Sequence, residues 1–173
     1  MNKMSRIRYL ILDVDGTMTD GHIYISPQGE IMKAFHVRDG YGIHSMLPLM
    51  GIEPVIITGR NNEIVAKRAA ELSIKYVFQN VSDKVAVMND FLAEQNKKHN
   101  QNAGYAECAY MGDDIPDLKC MKLIAENGGI AACPADAVEQ VKKISGFVSH
   151  YDGGNGAVRE LIDWLYLNSQ CDD

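Results

Sequence analysis

Residues 9–21 read Tyr9-Leu10-Ile11-Leu12-Asp13-Val14-Asp15-Gly16-Thr17-Met18-Thr19-Asp20-Gly21. The apolar run from Tyr9 to Leu12 is unbroken, as in a strand buried on both faces of a parallel sheet. It stops at Asp13, with Asp15 two residues on and Gly16 behind it. In open α/β sheets ligands lie beyond the carboxyl ends of strands, so acids placed there face a binding crevice. Two carboxylates at i and i+2 repel each other unless a cation or a proton stands between them. Gly16 permits a sharp turn where a Cβ would clash. Asp and Gly are also good turn formers, so this stretch alone leaves a plain strand-to-turn junction and a binding site both open.

A second acidic strand end lies at the other half of the chain. The predicted strand Glu107 to Met111 runs into Gly112-Asp113-Asp114-Ile115-Pro116-Asp117. Acids packed so closely at a strand-to-helix turn are poorly explained by solubility. Pro116 suits the first turn of the next helix, with Asp114 as its cap. Asp114 or Asp117 can therefore be structural, whereas Asp113 is the residue best placed as a metal ligand.

Two further strand ends carry polar groups of another kind. The strand Glu53 to Ile57 ends in Thr58-Gly59-Arg60, where a hydroxyl and nearby N–H groups can donate to a phosphate oxygen. The bland alternative for Thr58 is a hydroxyl turn that ends the strand. Lys84 falls in the first turn of a helix capped by Asp83 and running to about Lys97. A cation there opposes the helix dipole, which makes sense if it reaches an anion in the crevice. A solvated lysine is the default otherwise.

The remaining segments alternate between strand and helix patterns. Residues 22–37 read as a β-hairpin turning at Pro27-Gln28-Gly29, with Ile23, Ile25, Ile31, Phe35 and Val37 on one apolar face. That face needs a cover, either its own domain or another subunit, since a lone hairpin is marginal in water. A helix is expected over Gly40 to Met50, capped by Asp39, shortened by Pro48 and ended by Gly51. Another follows from Asn61 or Asn62 to Leu72 with a Glu63–Lys67 pair, then a short strand over Tyr76 to Phe78. Beyond a polar loop come a strand over Gly129 to Cys133, a helix over Ala135 to Lys143 and a strand over Gly146 to Val148. A Gly-rich stretch (152–160) then leads into a helix through Tyr166. This alternation predicts an α/β fold: a Rossmann-like parallel sheet flanked by helices, with a hairpin inserted after the first strand and no cap domain.

The chain of 173 residues is expected to form a single domain over 1–173, burying roughly 70% of its unfolded surface. A formal charge of −6 argues against non-specific nucleic-acid binding, and Lys97-Lys98-His99 reads as a solvated helix end. No apolar run reaches membrane-spanning length and the first residues show no leader pattern. Cys108, Cys120, Cys133 and Cys171 lack zinc or redox spacing, which points to reduced thiols and a cytoplasmic setting. No histidine pair has zinc-ligand spacing.

Asp13-Val14-Asp15-Gly16-Thr17 after an apolar strand resembles the first motif of the haloacid dehalogenase superfamily. The longer form through Gly21, with no large insertion, resembles its small capless branch, the phosphatases of phosphorylated keto-sugar acids. Thr58, Lys84 and the Gly112–Asp117 segment match the second, third and fourth motifs in order, and Gly153-Gly154-Asn155-Gly156-Ala157-Val158-Arg159-Glu160 resembles the branch's tail. The resemblance implies Asp13 as nucleophile and Asp15 as general acid and base. It implies Mg²⁺ on Asp13, Asp113 and the Asp15 main-chain oxygen, with Thr58 and Lys84 on the phosphoryl oxygens. It further implies a homotetramer whose hairpins meet and a flexible glycine tail that folds over the site. Arg60 and Lys67 are the groups expected to meet a substrate carboxylate. An Arg directly after Thr-Gly favours 3-deoxy-D-manno-octulosonate 8-phosphate, a lipopolysaccharide precursor, over a nine-carbon keto-sugar acid 9-phosphate. A phospho-receiver module shares the acids, Thr and Lys but carries its acceptor on the third strand, and no Asp occurs between Asp39 and Asp83. A non-catalytic scaffold would not need every one of these positions intact.

Overall fold

The computed structural model describes residues 6–169, so the readings of the first residues and of Cys171 fall outside the described residues. The chain runs β1 (Tyr9–Leu12), β2 (Tyr24–Ser26), β3 (Gly29–Met32), α1 (Val37–Tyr41), β4 (Glu53–Ile57), α2 (Glu63–Glu71) and β5 (Tyr76–Phe78). It continues with α3 (Lys84–His99), β6 (Cys108–Met111), α4 (Leu118–Glu126), β7 (Ile130–Cys133), α5 (Glu139–Lys142), β8 (Phe147–Val148) and α6 (Ala157–Ser169). Six strands form one parallel sheet in the order β5-β4-β1-β6-β7-β8, and β2 and β3 form a separate antiparallel pair. Counting the sheet strands alone in chain order, this is the doubly wound arrangement 3-2-1-4-5-6, whose order reverses beside the first strand.

The unbroken apolar runs follow from burial on both sides. Leu10 and Leu12 pack in one layer with Ile43, Val65 and Leu161, while Tyr9 and Ile11 pack in the other with Phe91, Met121 and Val141. Side chains alternate across a strand, so a sheet covered on both faces demands an apolar residue at every position. Met88, Phe91 and Leu92 of α3 are buried, whereas Lys97, Lys98 and His99 sit exposed in its last turn, favourable to the helix dipole.

Several elements depart from the sequence reading. The return strand of the hairpin stops at Met32: Phe35 bridges to Thr19 and packs on the core, and Val37 opens α1. Ile23, Ile25, Ile31 and Met32 stay 48%, 74%, 63% and 51% exposed, so the chain's own domain does not cover them. α1 begins at Val37 rather than Gly40 and runs on as a π-helical segment, Gly42–Met46, and a 3₁₀ turn, Leu47–Met50, closed by Gly51 at φ +68°. Asp39 therefore does not cap it. It lies buried in the first turn of α1, and its Oδ1 accepts the Arg159 N–H at 2.8 Å, capping α6 from across the molecule. Glu63 and Lys67 form no ion pair, although Asn62 caps α2 by accepting the Ile64 N–H. The helix expected from Ala135 shrinks to α5. Ala135 N–H goes to Tyr151 O and the Asp136 carboxylate accepts the Gly153 N–H, which ties residues 135 and 136 to another loop instead of a helical turn.

The glycine tail lies against the loop that follows β1. Gly154 N–H donates to Thr17 O at 3.0 Å, and a Cβ on Gly153 would lie 1.9 Å from Gly16 O. A Cβ on Gly154, which has φ +63°, would lie 2.4 Å from Asp20 N. The tail thus packs backbone to backbone against the loop that follows β1, and glycine is required for that approach. An alanine here tests how that loop is built rather than how the site closes.

Candidate active site

The strand ends converge on one cleft of about 580 Å³. Asp13 and Asp15 enter it from the end of β1, Thr58, Gly59 and Arg60 from β4, Lys84 from the start of α3, and Asp113, Asp114 and Asp117 from the turn after β6. This is the crevice beside the reversal of strand order. Lys67 does not line it. It sits exposed on α2, in a separate surface hollow with Phe35 and Arg68, so the two groups expected to meet a substrate carboxylate are reduced to Arg60.

Oxygens of Asp13, Asp113 and Asp117 lie within 4.8 Å of one another. Burial, and then the neighbouring Asp117, push the Asp13 carboxyl up to about 6. Burial, followed by Asp13 and Asp117, pushes Asp113 up to about 7, against the Thr17 hydroxyl that donates to its Oδ1 at 3.1 Å. Lys84 explains its place in the first turn of α3: its Nζ lies 2.9 Å from Asp13 Oδ1 and 2.8 Å from Asp117 Oδ1. Burial works against the ammonium, but the two carboxylates outweigh it and hold its pKa raised.

The three acids divide by the partners they already have. Asp117 is saturated: Oδ1 also accepts the Tyr110 hydroxyl at 2.7 Å, and Oδ2 accepts the N–H groups of Asp113 and Asp114 at 3.2 and 3.4 Å. It fixes the turn and Lys84. Asp114 is the exposed cap, accepting the Ile115 N–H at 2.8 Å. Asp13 and Asp113 keep oxygen lone pairs free for a hard cation. Gly16 makes room for this pairing, since a Cβ there would lie 2.1 Å from Asp113 Oδ2, and one on Gly112 would lie 2.4 Å from Asp117 Cγ. Two acids, Asp13 buried and Asp113 half-buried, that resist ionisation and are drawn together where glycine leaves space fit a divalent cation such as Mg²⁺.

The raised values set a sign for stability. Both acids have ordinary values of 3.8, so the folded, metal-free chain holds their protons more tightly than the unfolded one. Their stabilising contribution is fully present below about pH 4 and is lost as pH rises through about 6 and 7. Mg²⁺ competes with those protons, so it should stabilise the chain strongly near pH 8 and little near pH 5. At ~100 times its dissociation constant the gain is about 2.7 kcal/mol near pH 8, a Tm rise of roughly 5–10 °C for a chain this size. Thermal unfolding followed by circular dichroism checks it, and equal rises at both pH values would count against a cation on Asp13 and Asp113.

Asp15 is held by residues that sequence reasoning missed. The Lys33 side chain, 1% exposed, donates to Asp15 Oδ1 and lies 2.7 Å from Glu30 Oε1. Glu30 Oε2 accepts from Arg60 Nη2 at 3.1 Å and from Asn62 Nδ2 at 2.9 Å, while Arg60 Nε stands 3.8 Å from Asp15 Oδ2. Burial disfavours the Lys33 ammonium, yet Asp15 and Glu30 hold its pKa raised. Residues three apart point to opposite faces of a strand, so nothing in the hairpin pattern pairs Glu30 with Lys33. They meet because β3 ends at Met32 and the chain turns.

No family model matches the chain. The 3-deoxy-D-manno-octulosonate 8-phosphate phosphatase KdsC of Salmonella typhimurium is 42% identical over 167 residues, 96% of this chain and 83% of that protein. KdsC of Escherichia coli K12 is 41% identical over 165 residues, 95% of this chain and 82% of that one. The crystal structure of the Yersinia pestis phosphatase of that name superposes with a TM-score of 0.87 at 38% identity, covering 96% of this chain and 84% of that chain. The Moraxella catarrhalis phosphatase, solved in complex with magnesium ion, phosphate ion and a KDO molecule, gives 0.83 at 35% identity, with 96% and 89% covered. A Legionella pneumophila protein named as a HAD superfamily (subfamily III A) hydrolase gives 0.83 at 36%, covering 97% and 86%. Similarity of this depth along nearly the whole chain, on a doubly wound sheet with an acidic crevice at its reversal, places the chain in the 3-deoxy-D-manno-octulosonate 8-phosphate phosphatase family of the haloacid dehalogenase superfamily.

Proposed function

We propose that the chain is a Mg²⁺-dependent phosphatase that hydrolyses 3-deoxy-D-manno-octulosonate 8-phosphate to the free sugar acid and phosphate, a step of lipopolysaccharide precursor synthesis. The observation that carries this reading is the meeting of Asp13, Asp15, Thr58, Lys84 and Asp113 in one cleft, in a chain whose relatives bear that name. Asp13 attacks phosphorus in line, the bond to the sugar oxygen breaks, and an aspartyl-phosphate forms. Asp15 gives a proton to the departing alkoxide and then takes one from the water that hydrolyses the acyl phosphate. Thr58 and Lys84 bind the phosphoryl oxygens. Asp13, Asp113 and the Asp15 main-chain oxygen would hold Mg²⁺, which neutralises phosphate charge when bound. Arg60, half-exposed at the rim and steadied by Glu30, is the group for the substrate carboxylate.

The same reading extends to assembly and setting. The exposed Ile23, Ile25, Ile31 and Met32 support a homotetramer joined through the hairpins, and a solution mass of one chain by light scattering would overturn it. Free, buried thiols at Cys108, Cys120 and Cys133 support a reducing, cytoplasmic setting. No helix among the described residues is long and apolar enough to cross a membrane.

Phosphate release with Mg²⁺ across a panel of sugar phosphates tests the assignment. A kcat/KM about tenfold higher for the eight-carbon 8-phosphate than for nine-carbon 9-phosphates, ~1.4 kcal/mol of transition-state preference, is the expected result. The reverse preference would reassign the substrate with the mechanism intact, and no turnover of any ester would overturn the reading.

A further inference from the structure

We propose that Lys33 is a positioning residue that fixes the Asp15 carboxylate for proton transfer, a role that rests on the acid–base reading of Asp15. Lys33 is 1% exposed at its side chain and does not line the cleft, so it acts on the reaction through Asp15 rather than through substrate. Burying a lysine costs both hydration and rotamer freedom, and a surface turn of a hairpin offers easy alternatives in which the ammonium stays in water. Here the ammonium instead points inward onto Asp15 Oδ1.

Asp15 needs such a partner. It is a short side chain on a turn whose next residue, Gly16, has φ +86°, and no hydrogen bond from its own loop holds the carboxylate. Lys33 takes Oδ1 and leaves Oδ2, the oxygen nearer the cleft-lining Arg60, to carry the travelling proton. The anchor behind Lys33 is itself hydrogen-bonded on its far side. Glu30 ties it to Arg60 and to Asn62, and Asn62 is itself the cap of α2. Lys33, Glu30, Arg60 and Asp15 thus form one connected network. Loss of Lys33 frees Asp15 to turn while leaving Asp13, Asp113 and Lys84 untouched.

The test is Lys33→Met in the full-length, Mg²⁺-loaded protein, compared with Asp15→Asn on two esters. A sugar phosphate leaves as an alkoxide that needs a proton, whereas p-nitrophenyl phosphate has a leaving group stable as an anion. For Lys33→Met the expected result is a ~30- to 100-fold loss of sugar-phosphate turnover, within the range of general acid–base catalysis. The p-nitrophenolate burst should stay within ~3-fold of the parent and be followed by a slow steady state, because only intermediate hydrolysis still calls on Asp15. Lys33→Arg, which keeps a donor, should recover sugar-phosphate turnover to within ~5-fold of the parent. A p-nitrophenolate burst slowed as much as sugar-phosphate turnover, or no loss of sugar-phosphate turnover, would overturn the proposal. Should Lys33→Met fail to fold, Glu30→Gln must show the same contrast between esters in weaker form, and its absence overturns the proposal too. If Asp15→Asn itself shows no contrast, the acid–base reading fails. If Asp15→Asn shows it and Lys33→Met does not, only the role of Lys33 fails.

Discussion

Asp13→Asn removes turnover, by on the order of 10⁴-fold or more in kcat, while the protein stays folded. An amide of nearly the same shape cannot form the acyl phosphate, so the loss falls on chemistry rather than on substrate binding. Folding should not suffer. The Asp13 carboxyl is pushed up to about 6 by burial and by Asp117, which means that its charge is an unfavourable feature of the metal-free fold at neutral pH. Lys84 keeps Asp117 at 2.8 Å when Asp13 becomes neutral. Metal-free Asp13→Asn should therefore unfold near pH 8 at a temperature no lower than the parent, and should lose most of the Mg²⁺-induced rise. Phosphate release and paired thermal scans check this, and substantial remaining turnover would remove Asp13 as nucleophile.

Lys84→Met is expected to damage both activity and stability. The ammonium sits between Asp13 and Asp117, and without it two buried carboxylates face each other with no cation of the chain at hand. Breaking a buried ion pair by deleting one partner costs ~3–5 kcal/mol, or roughly 6–20 °C in Tm for a chain of this length. Deleting a donor aimed at transferring charge costs a further ~10²–10³-fold in kcat. The Asp13 carboxyl, pushed up to about 6 by burial and Asp117, can take up a proton, so the stability defect should shrink between about pH 8 and pH 5. A defect that does not depend on pH would mean that the lysine packs rather than pairs, and parental stability near pH 8 would refute the ion-pair account.

The parts of the site that were legible in the sequence share one physical reason. A strand covered on both faces writes an unbroken apolar run, and the residue that ends the run lies at the crevice, so Asp13, Thr58 and the Gly112–Asp117 segment announce themselves. Lys84 is visible because a cation in a first helical turn is electrostatically out of place. The rest depends on contacts between distant segments, which local pattern does not record. Asp39 looks like the cap of the helix beside it and instead caps α6, since His36 and Val37 already carry the chain into α1. No local pattern links Lys33 to Glu30 or to Asp15, and they meet only where β3 ends and the chain turns. Lys67 has the right chemistry for a carboxylate, but its position on α2 turns it toward Phe35 and away from the cleft. The glycine tail has the composition of a flexible strap and is used for close packing, because only glycine lets one backbone rest on another.

The seating of Gly153 and Gly154 on the loop after β1 also has a bearing on biosynthesis. A chain leaving the ribosome presents Asp13 first, then Thr58, Lys84 and Asp113, and its N-terminal portion begins to fold before the last residues are made. The wall that shapes the Asp13 loop is supplied by the tail, and α6 behind it is clasped to Asp39 by a contact spanning 120 residues of sequence. Every reactive residue is thus synthesised before the segment that shapes the Asp13 loop. A chain cut short before this tail carries the reactive side chains without the wall that shapes their loop, and is expected to be inactive.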